Sequence, residues 1–178
     1  AGYSGSWETH PALLTLIDAS ETTSTSPTDL KGTDLIWSGN SVTHVAAAGD
    51  IGAYWDLSAG YFGTTTRRVV GSSYTLFYYW KPGSASDKIL HSGRLYDRWA
   101  TFNVDDSLGF YAFTTRNSGD FGFKDTGYDV TVDVWQTLIV TGVATDVANG
   151  VGTSTFYVDG TLVGTVDRVA SGDDTGWM

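Results

Sequence analysis

Apolar and polar residues alternate with a period of two through much of the chain, most clearly between residues 135 and 166. There W-Q-T-L-I-V-T-G-V is followed by a polar stretch and then by T-S-T-F-Y-V-D-G-T-L-V-G-T-V. Such alternation sends successive side chains to opposite faces of a strand. Asp159-Gly160 sits between two of these runs and supplies the positive φ angles of a type I′ turn, so it predicts a tight hairpin. Shorter runs of the same kind predict strands at residues 13–17, 34–37, 53–57, 74–81, 88–92, 99–104, 108–114 and 121–124, then 135–143, 153–158 and 161–166. Helical periodicity is not sustained over three turns anywhere. Residues 11–18 have the length of a short helix, but their Thr and Ile content weakens it.

Composition sharpens this pattern into a fold class. Seven Trp, ten Tyr and eight Phe, punctuated by 22 Gly, belong to many short strands joined by turns, which predicts an all-β, two-sheet antiparallel β-sandwich. A length of 178 residues fits one domain with core enough to fold without disulfides, and the chain has no Cys. Residues 19–32, A-S-E-T-T-S-T-S-P-T-D-L-K-G, are too polar for core. The expected organisation is therefore an arm and Ser/Thr-rich loop over 1–33, either separate from or part of the sandwich, and the sandwich itself over 34–178. The first residues carry no basic and apolar leader pattern, and no run is long and apolar enough to span a membrane. A formal net charge of −10 repels phosphate backbones and anionic lipid surfaces, so neither nucleic acid nor membrane insertion is expected.

The Trp-led strand and the Y-V-D-G-T-L-V-G hairpin, with the upstream Y-T-L-F-Y-Y-W-K-P-G at 74–83, resemble the concanavalin A-like lectin/glucanase superfamily. The likeness is greatest to its laminin-G-like and pentraxin-like jelly rolls, and it covers roughly residues 49–166. It implies a concanavalin A-like jelly roll, a habit of binding sugars and one structural calcium ion. In that family a further strand follows the hairpin; here the closing strand is expected from the first predicted strands, or else an open edge would invite a second chain.

Candidate chemistry is thin. Retaining glycosidases need two carboxyl groups roughly 5 Å apart on one sheet face, and the family supplies them as E-x-D-x-x-E. With Glu8 and Glu21 as the only glutamates, that motif does not exist. His10, His44 and His91 are too widely spaced for a metal pair, and no G-x-S-x-G elbow is present. Polysaccharide lyases on jelly rolls draw on His, Tyr and Arg, and His91, Arg94, Tyr96 and Arg98 fit that scheme loosely.

Binding chemistry is richer. Alternation over 74–81 separates Tyr74, Leu76, Tyr78 and Trp80 from Thr75, Phe77, Tyr79 and Lys81. The family pattern points the second set to the sugar-binding sheet face and adds Trp99, Asn103, Tyr111 and Phe113 from later strands, with Arg98 at the rim. Aromatic rings suit the C–H face of a pyranose, while amide and cationic groups take its hydroxyls. An alternative reading has the N-terminal arm covering these aromatics as a second small core. Calcium candidates are Asp50, Asp56, Asp146 with Asn149, and Asp173-Asp174, none in D-x-D-x-D-G spacing. The expected function is a non-catalytic, lectin-like carbohydrate-binding or adhesion module on a secreted, cell-surface or virion-surface protein, bound to a glycan or polysaccharide. A homo-oligomeric structural or assembly brick, such as a virion decoration, is the alternative; a lyase or hydrolase ranks third.

Overall fold

The computed structural model describes residues 36–48, 52–64, 73–83, 89–92, 97–102, 107–113, 121–146, 151–167 and 169. These are all strand, turn and irregular chain, with no helix among the described residues. The chain divides into two compact units, Ala1–Arg68 and Val69–Gly176. The arm expected over 1–33 lies outside the described residues, as does the strand expected at 13–17.

The first unit holds an antiparallel pair, β1 (Ile36–Val45) and β2 (Tyr54–Thr64). His44 and Trp55 face each other in register, and their rings meet edge-on at 6.0 Å.

The second unit is a β-sandwich of two four-stranded antiparallel sheets. One sheet has the order β10-β9-β8-β3, built from β3 (Ser73–Trp80), β8 (Gln136–Asp146), β9 (Val151–Val158) and β10 (Thr161–Val166). The other has the order β4-β5-β6-β7, from β4 (Ile89–Ser92), β5 (Asp97–Phe102), β6 (Ser107–Phe113) and β7 (Phe121–Asp129). The core between them is made by the inward set of each alternating strand. Leu138, Val140, Phe156, Val158 and Val166 come from the first sheet, Leu108 from the second, and Val130 from the chain after β7. Tyr74, Leu76, Tyr78, Trp80 and Tyr128 pack against them.

The hairpin at Asp159-Gly160 has φ of 48° and 77°, the left-handed pair a type I′ turn requires. Asp159 also pins this turn sideways: its Oδ1 accepts from the Thr137 N–H at 2.8 Å and from the Thr137 hydroxyl at 3.1 Å. Its own N–H donates to the Thr137 carbonyl at 3.0 Å. One aspartate thus closes the β9–β10 hairpin and fixes it to the start of β8. Gly164 lets β10 approach β7, since a Cβ there would lie 2.6 Å from Thr126 Cβ and 2.7 Å from its carbonyl oxygen.

Candidate functional site

Strand β3 lies at one end of its sheet's order, and its side chains alternate in exposure along the whole strand. Phe77 and Tyr79 point outward and are 63% and 64% exposed, unusual values for rings of that size. They do not stand alone. Register places Phe77 opposite Ile139, Ile139 opposite Tyr157, and Tyr157 opposite Leu162, so one apolar row crosses all four strands. The next row is Thr75, Thr141, Thr155 and Thr165, and the third is Ser73, Val143 and Thr153. None of these eleven positions is charged. Val143 and Leu162 are themselves 62% and 57% exposed, so the face presents a continuous apolar and hydroxylated surface.

The aromatic end of this face is built by a turn in the chain that leads into β8. Asp133 adopts φ of 59°, a left-handed conformation that Asp tolerates through its short polar side chain. Its N–H donates to the Pro82 carbonyl at 2.8 Å, and its carboxylate lies 3.7 Å from Lys81 Nζ. That ion pair is exposed and orients more than it stabilises. The turn is thereby held to the end of β3, which carries Trp135 over Tyr79. Their rings stack at 5.0 Å with an interplanar angle of 18°. Tyr79 keeps an open side despite the stack, as its exposure shows.

At the other edge of the sheet, β10 and β7 flank an open cleft of about 390 Å³. Lys124, Asp125, Thr153, Thr165, Val166 and Asp167 line it. Lys124 Nζ is 3.5 Å from Asp167 Oδ1, and Asp125 Oδ1 accepts from the Gly127 N–H at 2.7 Å.

The sequence-based site is only partly brought together. Phe77, Tyr79 and Lys81 share the region just described. Trp99 lies on β5, opposite His91 and Phe110, and Tyr111 and Phe113 lie on β6, opposite Phe123 and Phe121. Those strands belong to the second sheet, so a single sheet face carrying Phe77, Tyr79, Trp99, Tyr111 and Phe113 is not formed. The physical reason is pairing: β3 forms its ladder with β8, more than fifty residues on, and not with β5. Asn103 falls outside the described residues. Of the loose lyase set, Arg98 pairs with Ser92 and with Tyr111, while Arg94 and Tyr96 fall outside.

Trp135 is the residue that sequence reasoning missed. Alternation assigns it to a strand, yet it precedes β8 and stacks on Tyr79. The V-D-V-W segment at 132–135 holds the usable signal, an Asp able to turn the chain just before a large ring. Among the described residues no group of three or more His, Asp or Glu gathers to hold a metal. Of the calcium candidates, Asp50, Asn149, Asp173 and Asp174 lie outside the described residues.

The sequence matches no protein-family profile and no curated protein. Among solved structures, the chain is similar to the alginate lyase vAL-1 from Chlorella virus, with a TM-score of 0.47 and 12% identity over 82% of each chain. At that distance the likeness transfers no activity, substrate or residue role. The expectation of a non-catalytic lectin-like or adhesion module is corrected here, since the solved structure to which the chain is similar is that of a lyase. That expectation treated a missing Glu pair as a missing activity. The missing pair excludes one glycosidase motif and says nothing about elimination chemistry.

Proposed function

We propose that this sandwich engages a polysaccharide, holding the chain against the outward face of the β10-β9-β8-β3 sheet. The observation that carries the reading is the Tyr79–Trp135 pair: two rings stacked at 5.0 Å on an exposed sheet edge, with Phe77 beside them and equally open. A pyranose offers an apolar C–H face to such rings and a polar edge to the hydroxyls and amides around them. Here Lys81, Thr137 and the threonine row supply that polar surround. Binding at this face is compatible with cleavage of the bound polymer, so the reading does not divide binder from enzyme.

The experiment is a polysaccharide panel in which retention and product release are read together. Native protein should be retarded by at least one polymer, and Tyr79→Ala or Trp135→Ala should weaken retention by roughly tenfold, the scale of one lost aromatic contact of about 1 kcal/mol plus its buried area. Unsaturated ends or new reducing ends would identify cleavage. Equal retention of native and variant proteins would remove this face from the function. Running the panel with calcium and with a chelator also tests the proposed structural calcium, whose loss should lower the melting temperature if the ion is there.

A further inference from the structure

Resting on that reading, we infer that the polymer is uncharged and that it crosses the strands, from the Tyr79–Trp135 pair at the β3 edge to the hydroxyl-lined cleft at the β10 edge. Three observations converge on this. The rows between the two ends contain aliphatic, aromatic and threonine side chains and no charge, so nothing in them would pair with a polyuronate or a polyamine. Among the described residues of these rows and the cleft, charges appear at the ends and are already engaged. Lys81 lies beside Asp133 and Lys124 beside Asp167, while Asp125 accepts from the backbone of Gly127. The cleft's own residues, Lys124 with Asp125 and Asp167, sum to one excess negative charge, and the chain as a whole carries −10. A polyanionic ligand would meet repulsion on approach and find, among the described residues of this face, no lysine without an acidic neighbour.

The path is set by register. Thr165 is both the β10 member of the threonine row and part of the cleft wall, and Thr153 of the third row lines the cleft as well. The hydroxyl row therefore runs into the cleft without interruption. Three strand spacings separate the two ends, about 14 Å in the hydrogen-bonding direction, so more than one sugar ring is needed to reach both. The cleft lining includes two threonine hydroxyls, a lysine and two carboxylates, donors and acceptors that suit the hydroxyls of a neutral sugar. The aromatic pair acts as the anchor and the cleft as the second subsite.

The test is equilibrium binding of neutral β-linked glucan oligosaccharides, from disaccharide to hexasaccharide, beside alginate and polygalacturonate oligosaccharides of equal length, at low and high salt. Affinity for a neutral series should rise stepwise once both ends are reached, by about tenfold or more, and stay level as salt is raised. Thr165→Val, which keeps shape and removes the hydroxyl, and Lys124→Gln should lower affinity for the longer oligosaccharides and leave the shorter ones unchanged. Preferential binding of the polyuronates would overturn the charge inference while leaving polysaccharide engagement standing. A neutral series with no length dependence, unaffected by Thr165→Val, would overturn the second subsite. Failure to bind any polymer, with native protein and Tyr79→Ala alike, would bring down the functional reading itself.

Discussion

Tyr78 shows what the same strand does on its inward side. It is packed into the core between Leu76 and Trp80, and burial pushes its phenol well above the ordinary tyrosine range, with nearby Tyr74 adding to the effect. The sign follows from the neutral form being favoured in the fold. In the unfolded chain the phenol ionises near pH 10, whereas the folded protein retains the proton, so this contribution is intact below about pH 10 and declines above it. Unfolding free energies from denaturant titrations across alkaline pH should fall above that point, with a slope approaching about 1.4 kcal/mol per pH unit from this group. Tyr78→Phe should make the fall shallower; an identical slope in the variant would contradict the assignment. Trp135 is a different case, a half-buried ring placed by its stack on Tyr79 and not by the core.

Strand pairing, not strand existence, separates what the sequence makes legible from what it does not. Alternation over 74–81 and the Asp159-Gly160 turn are local facts, and the structure has β3, β9 and β10 within a residue or two of the expected limits. Elsewhere the limits move for physical reasons. Strand β7 runs on to Asp129 because a register shift near Gly127, with φ of 74°, absorbs extra residues that read in sequence as a break. The partner of β3 depends on packing over long separation, which no local pattern encodes, and this is why five aromatics expected on one face divide between two sheets. The threonine row was invisible for the same reason: its four members come from four strands. Glycine positions make the packing testable. Gly142 lies under the Tyr74 ring, where a Cβ would come within 2.2 Å of ring atoms, and that ring's hydroxyl meets the fully buried Ser154 at 3.1 Å. Gly142→Ala should cost about 1–3 kcal/mol in chemical denaturation by displacing Tyr74. A cost near zero would mean that the ring is free to move aside.

At the scale of the whole molecule, the all-β antiparallel sandwich is the expectation that holds, and it holds because binary pattern, turn residues and aromatic content agree. Assignment to the concanavalin A-like superfamily is a finer statement than the observed sheets support. Function was less legible than fold, since a sandwich of this kind supports both binding and catalysis. What distinguishes this chain is a contrast of charge: a strongly acidic protein with an apolar and hydroxylated sheet face whose described cross-strand rows carry no charge. The most direct measurement is calorimetric titration of a neutral β-glucan hexasaccharide into native protein and into Trp135→Ala. Saturable binding to the native protein, weakened about tenfold in the variant and insensitive to salt, is the predicted result. Equal affinities in the two proteins would contradict the site, and binding only to a polyuronate would contradict its chemistry.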